Sequence, residues 1–223
     1  MKVLITGATG MVGEGVLHTC LAHPAIDQVA VINRRPDGVA HPSLKEIVHK
    51  DFFDLSPVED QLSGYDACFF CLGVSSVGMD EQEYFRLTHT LTMHVAETLA
   101  RLNPGTTFVY VSGAGTDGTE KGRSRWARVK GKTENDLRKL PFQKTYAFRP
   151  GFIKPMEGTK HAQPYYKYLN WLFLIGRALY PGGFVTLREV GLAMIHCARN
   201  TVEQHVIEGR DIIALAKKES KST

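Results

Sequence analysis

The sequence has no apolar run long enough to cross a membrane. Its longest apolar stretch, residues 168–180, contains Arg177 and is shorter than the ~20 residues that a spanning helix needs. We expect no membrane span and interpret this stretch as a buried or interface helix, with a membrane-surface helix as the alternative. Met1 leads almost at once into an apolar segment at Val3, which leaves no room for a signal peptide. The sequence predicts a cytoplasmic protein.

The chain also lacks a strong excess of charge. Its 27 basic and 23 acidic residues give a formal net charge of +4, and they form no basic block. This balance gives no reason to expect binding to nucleic acid or to a membrane surface. A mildly basic site for an anionic small molecule is enough to account for it.

Cysteines are few, and paired metal ligands are missing. Four cysteines occur in the chain, of which Cys68 and Cys71 have the spacing of a redox or zinc motif. Their segment, DACFFCLG, has the pattern of a buried strand, in which side chains three residues apart point to opposite faces. We interpret both as buried apolar residues. The nine histidines show no ligand spacing on one helix face, so no metal site is predicted.

Strand-like and helix-like segments alternate along the chain. This order predicts an α/β protein with a doubly wound, mainly parallel sheet, a Rossmann fold, whose ligand crevice lies at the carboxyl ends of the strands. We expect one domain over residues 1–223, with a small substrate-side lobe at about 151–223 and a frayed tail at 217–223. The predicted strands are 2–6, 28–33, 46–51, 67–72, 107–112, 145–149 and 211–215, and the predicted helices are 11–23, 56–62, 80–102, 123–140, 165–180 and 187–200.

The most specific segment is a glycine turn at 7–13, between a predicted strand and a predicted helix. Gly7 permits a tight turn, Gly10 lets the backbone approach a pyrophosphate, and Gly13 lets the helix pack closely on the strand. The amides at the helix start then face the phosphate, assisted by the helix dipole. We predict a dinucleotide site, with a purely structural turn as the alternative. The predicted cofactor-binding residues here are Gly7, Thr9, Gly10, Met11, Val12 and Gly13.

The residues after the second predicted strand indicate which dinucleotide binds. NAD-binding proteins commonly carry an acid there, whereas this chain has Arg34 and Arg35. Guanidinium groups suit a 2′-phosphate, so NADP is the predicted cofactor, with two solvated loop arginines as the alternative. One engaged arginine favours NADP about tenfold to a hundredfold. By topology, further cofactor contacts are predicted at Asp51, Phe52, Cys71, Leu72 and Gly73.

Several motifs give the chain a resemblance to a known superfamily. They are TGATGMVG at 6–13, NRR at 33–35, CLG at 71–73, VSGAG at 111–115, VKGKTE at 129–134 and FRPGFI at 148–153. On these motifs the chain resembles the atypical short-chain dehydrogenase/reductase superfamily, near the Tat-interacting-protein-type oxidoreductases and small bacterial epimerase-like proteins. The resemblance covers most of the chain. It implies an NAD(P) cofactor and a small-molecule substrate, and it leaves open a homodimer.

The resemblance also implies roles for three residues. In active members a serine polarises the substrate oxygen, a tyrosine exchanges its proton, and a lysine four residues later holds the nicotinamide ribose. Ser112 is the nearest match to the serine, with Gly113 as the alternative, and Lys130 matches the lysine, with a solvated charge paired to Glu134 as the alternative. Trp126 stands at the tyrosine position, where an indole N–H cannot act as a general acid near neutral pH. We predict that Trp126 lines the substrate pocket, with ordinary core packing as the alternative.

The missing tyrosine leaves three interpretations. Another group donates the proton; or the chemistry needs no such acid, as when a flat substrate takes hydride and then a proton from water; or the cofactor is bound and little is transformed. Losing a positioned donor costs ~10²–10⁴ in rate. The candidate donors are Tyr84, Tyr110, Asp117, His161, Tyr165 and Tyr166.

Residues 149–153 close the sixth predicted strand, and the resemblance places them beside the nicotinamide. An aromatic cluster at residues 165–173 follows, either core or the wall of a pocket for an apolar or aromatic substrate. The predicted function is an NADP(H)-binding atypical short-chain oxidoreductase that acts on a small carbonyl-type substrate. The alternatives are a catalytically weak NADP-sensing regulatory or scaffold protein and an epimerase- or dehydratase-like enzyme. The predicted cofactor-binding residues of this segment are Arg149, Pro150, Gly151, Phe152 and Ile153.

Overall fold

Nine strands form one large and one small parallel sheet in the part of the chain that the structure describes. The structure is a computed structural model that describes residues 1–156 and 170–222, with only the backbone at 170–172 and 174. In chain order the strands are β1 (Lys2–Thr6), β2 (Gln28–Asn33), β3 (Leu44–Val48), β4 (Ala67–Phe70), β5 (Thr107–Val111), β6 (Lys144–Arg149), β7 (Phe152–Lys154), β8 (Phe184–Thr186) and β9 (Val206–Glu208). The large sheet has the order β3-β2-β1-β4-β5-β6-β9, and β7 pairs with β8. This confirms the predicted Rossmann fold.

Helices cover both faces of the large sheet. They are α1 (Met11–Leu21), α2 (Glu81–Phe85), α3 (Leu91–Leu102), α4 (Arg125–Leu137), α5 (Asn170–Leu179), α6 (Leu187–Arg199) and α7 (Gly209–Lys221). A π-helical turn, Arg86–Thr90, joins α2 to α3, so the predicted helix 80–102 is not regular throughout. Short 3₁₀ turns occupy Ser56–Gln61 and Pro181–Gly183.

Two apolar layers fill the space between the sheet and the helices. Val3 and Ile5 of β1 point into one layer, and Leu4 points into the other, as the alternation of side chains along a strand requires. Cys68 lies in the second layer, whereas Cys71 packs against the first. The two thiols therefore face opposite sides of the sheet, as the sequence predicts.

The helix after the glycine turn packs closely on α6. A Cβ atom added to Gly15 of α1 would lie 2.7 Å from Leu187 Cδ1, and one added to Gly191 of α6 would lie 2.7 Å from Thr19 Cβ. Each glycine therefore lies directly against a side chain of the other helix, which the absence of a Cβ atom permits. This contact fixes α1, whose first turn belongs to the glycine turn.

Three predictions about secondary structure are wrong. Residues 211–215 belong to α7, and the last strand of the large sheet is β9. The third strand ends at Val48, before the predicted end at 51. The predicted frayed tail is helical to Lys221, because Glu219 is fully buried and pairs with Arg199 and with His196 at 2.8 Å. Of the predicted helix 165–180, only the part from residue 170 lies within the described residues.

Candidate functional site

The glycine turn is built around two close backbone approaches. Gly7 has φ of +72°, and a Cβ atom there would lie 2.9 Å from the backbone of Cys71 and Leu72. A Cβ atom on Gly13 would lie 2.1 Å from the carbonyl oxygen of Gly7. Gly10 is the N-cap of α1 and supplies no side-chain cap. The amides of the first turn are therefore available to an anion.

A cleft of about 630 Å³ lies beside this turn, and we call it the glycine cleft. It opens at the carboxyl ends of β1, β2 and β4, the place where a doubly wound sheet binds its ligand. The structure brings eight of the predicted cofactor residues together here. The lining residues are Gly7, Thr9, Gly10, Arg34, Arg35, Lys50, Cys71, Leu72 and Gly73.

Lys50 lines the cleft but is not among the cofactor-binding residues predicted from the sequence. It follows β3 by two residues and lies at the same sheet edge as Arg34 and Arg35. The three exposed cations stand together, and no acid is among the lining residues of the cleft. The signal that could have identified Lys50 is its position at the end of a strand adjacent to β2. The arrangement favours an anionic group at this end of the cleft.

A hydrogen-bonded network shapes the loop that carries the two arginines. Glu46 Oε1 accepts from the backbone N–H of Asp37 at 2.8 Å and from Asn33 Nδ2 at 3.3 Å. Asp37 Oδ1 accepts from the N–H of Val39 at 2.8 Å. The two carboxylates therefore support the loop from outside the cleft.

Eleven predicted cofactor residues lie outside the lining of the glycine cleft, and five of them adjoin it along the chain. Met11, Val12 and Gly13 form the first turn of α1. Phe52 is buried in the second apolar layer, and Asp51 Oδ1 accepts from the backbone N–H of Phe53 at 2.9 Å. Contact between these residues and a cofactor stays a prediction.

Lys130 lies on α4 with its ammonium at the end of β5. Lys130 Nζ donates to the carbonyl oxygen of Ser112 at 2.9 Å and lies 5.6 Å from the centre of the Tyr110 ring. Burial lowers the pKa of Lys130 to about 8, and the charge of Glu134 partly opposes this. Lys130 is therefore not the solvated, Glu134-paired charge of the alternative interpretation.

Ser112 is buried, and its hydroxyl is engaged. Thr116 Oγ1 donates to the carbonyl oxygen of Gly113 at 2.8 Å, and Ser112 Oγ lies 2.9 Å from Thr116 Oγ1. Since Thr116 has one hydroxyl proton, Ser112 is the donor of the second bond. The Ser112 proton therefore points to Thr116 in this structure.

Trp126 lines a separate cavity of about 330 Å³, which we call the Trp126 pocket. The edge of its indole ring packs on Gly115, where a Cβ atom would lie 3.6 Å from Trp126 Cη2. The lining residues of the pocket are Ser76, Met79, Asp80, Glu81, Tyr84, Arg123, Ser124, Arg125 and Trp126.

The described candidates for a proton donor have different surroundings. Tyr110 is buried, which raises its pKa well above the ordinary value. The carboxylate of Asp117 accepts from the hydroxyl of Thr119 at 2.6 Å and from the N–H of Gly122 at 2.6 Å, bonds that lower its pKa. The Asp117 carboxylate is therefore ionised and holds the loop at 117–122 through these bonds. Tyr84 lines the Trp126 pocket, and burial raises its pKa. His161, Tyr165 and Tyr166 lie outside the described residues.

Arg149 is held by protein carboxylates. Its Nε donates to Glu134 Oε1 at 3.0 Å, its Nη2 donates to Glu134 Oε2 at 2.5 Å, and its Nη1 lies 3.4 Å from Glu208 Oε1. Glu134 is 4% exposed. This bidentate pair ties α4 to β6 one turn after Lys130, so Arg149 is not directed into the glycine cleft.

The rest of the 149–153 segment packs against the small sheet. A Cβ atom on Gly151 would lie 2.4 Å from the carbonyl oxygen of Gly183, and the rings of Phe152 and Phe184 have centres 5.6 Å apart. Pro150 and Ile153 are buried. Their predicted cofactor contacts stay predictions. Of the predicted aromatic cluster at 165–173, only the side chain of Phe173 is described, and it lies in the core.

Comparison with known proteins gives consistent matches over most of the chain. Residues 3–146 match the NAD dependent epimerase/dehydratase family. The chain is 31% identical over 168 residues to the protein fmp52-1, mitochondrial, of Aspergillus oryzae, and the aligned segment covers 69% of each chain. It is 27% identical over 233 residues to the protein FMP52, mitochondrial, of Eremothecium gossypii, and this alignment covers 99% of each chain. These matches confirm the resemblance that the motifs predict.

A solved structure supports the fold. The Bordetella bronchiseptica enzyme WbmF, in complex with NAD+, matches with a TM-score of 0.61 and 20% sequence identity, over 99% of this chain and 77% of that one. At this identity the match shows the fold alone. Within the described residues, the structure contains no helix of the length and apolarity that a membrane span requires.

The predicted cytoplasmic location is wrong. Both fungal relatives are named as mitochondrial proteins. A secretory signal peptide and an organelle-targeting segment are different features, so an expectation about the first does not separate the cytoplasm from an organelle.

Proposed function

Since the chain belongs to the NAD-dependent epimerase/dehydratase family, we propose that it is an NADP(H)-dependent oxidoreductase that acts on a small carbonyl-type substrate. The observation that carries the proposal is the cationic end of the glycine cleft. Arg34, Arg35 and Lys50 line this end, while the glycine turn lines the other part. A pyrophosphate at the turn and a 2′-phosphate at the cations account for both features.

The glycine turn fits a dinucleotide in shape as well as in charge. Side chains at Gly7 or Gly13 would collide with backbone, so both positions keep the turn narrow beside the cleft. The first-turn amides of α1 would bind the pyrophosphate, assisted by the helix dipole. The bound nicotinamide cofactor would supply or accept the hydride.

Lys130 is the residue proposed to hold the nicotinamide ribose. Its ammonium lies at the end of β5, the second strand from β1, and thus at the same sheet edge as the glycine cleft. Ser112 is proposed to polarise the substrate oxygen after its hydroxyl turns away from Thr116. Trp126 at the tyrosine position cannot donate the proton, so the proton comes from water or from another group.

The same observations favour one alternative, an NADP-sensing protein with little catalytic activity. The Ser112 hydroxyl is bonded to Thr116, and Trp126 replaces the usual acid. In this alternative the cofactor changes the surface that the protein presents to a partner. No NADPH consumption in the assay below, together with intact NADPH binding, would favour this alternative.

The test is NADPH consumption with a broad panel of carbonyl compounds and quinones. We expect turnover with at least one member, and we expect Lys130→Met to reduce it. Lys132→Met is the matched control, because Lys132 lies on the same helix and pairs with Asp136 at 2.9 Å. No turnover with any member would overturn the oxidoreductase proposal. Equal losses in both variants would remove the role proposed for Lys130.

A further inference from the structure

The Trp126 pocket has the size of a site for a single-ring molecule. Its volume is about 330 Å³, at the lower end of the ~300–1,000 Å³ that small-molecule sites span. Trp126, Tyr84 and Met79 give it flat and apolar walls. Aromatic walls of this kind pack well against another planar ring.

The two acidic side chains that line the pocket already have partners within the protein. Asp80 caps α2 by accepting from the backbone N–H of Glu83 at 2.9 Å, and Glu81 pairs with Arg128 at 3.2 Å. Both acids are therefore engaged.

Two arginines also line the pocket, and their surroundings differ from those of the two acids. Arg123 and Arg125 are exposed, and within residues 1–156 and 170–222 their guanidinium groups have no ion pair or hydrogen bond. Arg125 also stands in the first turn of α4, which contains no acid. A cation there is unfavourable to the helix dipole, so helix stability does not explain its presence. A bound anion would stabilise both guanidinium groups.

The pocket lies next to the proposed catalytic groups. Trp126 is one helical turn before Lys130, and Ser76 and Met79 belong to the loop that follows Gly73 of the glycine cleft. We propose that the Trp126 pocket binds the ring of an aromatic carboxylate, with Arg123 and Arg125 on its carboxylate group. As the substrate site of the oxidoreductase, this assignment rests on the proposed function, but the binding itself does not require a cofactor.

The test is an equilibrium titration with 4-nitrobenzoate and with its neutral analogue 4-nitrobenzamide, followed by tryptophan fluorescence. Each probe is titrated with and without saturating NADP+. The nucleotide would occupy the glycine cleft and cover Arg34, Arg35 and Lys50, so that these cations do not bind the probe. We expect 4-nitrobenzoate to bind about tenfold more tightly than the amide, because only the acid forms charge-assisted bonds with arginine. The quench should disappear in Trp126→Phe.

The decisive variant is Arg123→Gln combined with Arg125→Gln. It should bind the acid and the amide equally, while Arg138→Gln, an exposed arginine at the end of the same helix, should keep the preference. Both substitutions are at exposed positions, and a thermal unfolding curve confirms folding. Equal binding of the two probes by the wild type, no binding at all, or a preference that survives in the double variant would overturn the proposal.

Failure of this inference can be separated from failure of the proposed function. NADPH that binds without any binding of 4-nitrobenzoate would remove the aromatic-acid site and leave the cofactor site standing. Arginine-dependent binding of 4-nitrobenzoate without any NADPH binding would do the reverse.

Discussion

The ammonium of Lys130 donates a hydrogen bond to the carbonyl oxygen of Ser112 across 2.9 Å. This bond joins α4 to the end of β5 and buries the charged end of the lysine. Burial is the main reason that the pKa of Lys130 falls to about 8, compared with ~10.4 for lysine in water. The group that is proposed to hold the cofactor therefore titrates within an accessible pH range.

NADPH affinity should consequently depend on pH through Lys130. Below about pH 8 the folded protein carries the ammonium, and above it the charge is lost. We expect NADPH to bind about tenfold more weakly well above this pH than at neutral pH, because one charge-assisted hydrogen bond is lost. Lys130→Met should bind weakly throughout and show no step near pH 8. An identical pH profile in the variant and the wild type would rule out this role for Lys130.

Trp126→Tyr should raise the rate of carbonyl reduction. The substitution restores a phenol four residues before Lys130, whose positive charge lowers the pKa of a nearby tyrosine. A positioned proton donor is worth ~10²–10⁴ in rate, and we expect the lower part of this range. Trp126→Phe, which has the ring without the hydroxyl, should give no gain. Equal rates for the two variants would mean that the protein does not use a donor at this position.

Gly13→Ala should destabilise the fold and abolish cofactor binding. The new methyl group would lie 2.1 Å from the carbonyl oxygen of Gly7, and backbone must move to admit it. Overpacking of this kind costs ~1–3 kcal/mol, which lowers the melting temperature by roughly 2–12 °C in a domain of this size. Gly105→Ala is the matched control, since nothing lies within 4 Å of its Cβ position and Gly105 is not among the lining residues of the glycine cleft. A Gly13→Ala variant with unchanged melting temperature and NADPH affinity would contradict the geometry of the turn.

Glu219→Ala should lower the free energy of unfolding more than a substitution at a neighbouring exposed position of α7. Glu219 is fully buried and bonds to Arg199 and His196, and His23 lies 3.5 Å away. Removal of one partner of a buried ion pair costs ~3–5 kcal/mol, because the remaining charge stays buried. The control is Lys218→Ala, an exposed change that should stay within ~0.5 kcal/mol. Chemical denaturation measures both, and equal stability of the two variants would show that the cluster contributes nothing.

The edge strand β3 is partly exposed, at Glu46 and Val48, and its predicted end lies three residues too far along the chain. The sequence predicts the other five of the first six strands because each is largely buried and reads as a short apolar run. The same reasoning fails at 211–215, whose apolar residues also form a run. Ile212, Leu215 and Ala216 are buried at helical spacing, and Glu208 and Asp211 form a capping box at the start of α7. A short apolar segment does not distinguish the two structures by its pattern alone, and the cap is the signal that decides.

The glycine cleft is predictable because its lining residues come directly after strands. The carboxyl ends of parallel strands lie at one edge of the sheet, so residues distant in the sequence meet there. Eight of its lining residues are found in this way, and Lys50 obeys the same rule. The bond from Arg149 to Glu134 could not be predicted, since it depends on the rotation of α4 against β6. The bond from Ser112 to Thr116 depends on loop geometry that no periodic pattern encodes.

The most direct test of the account is an equilibrium titration of the purified protein with NADPH and NADH in parallel, at fixed salt. The cations Arg34, Arg35 and Lys50 predict that NADPH binds about tenfold to a hundredfold more tightly, and that replacing all three by glutamine removes the difference without weakening NADH. Equal affinity for the two nucleotides in the wild type would contradict the NADP assignment. Binding of neither nucleotide would make the glycine turn a purely structural feature.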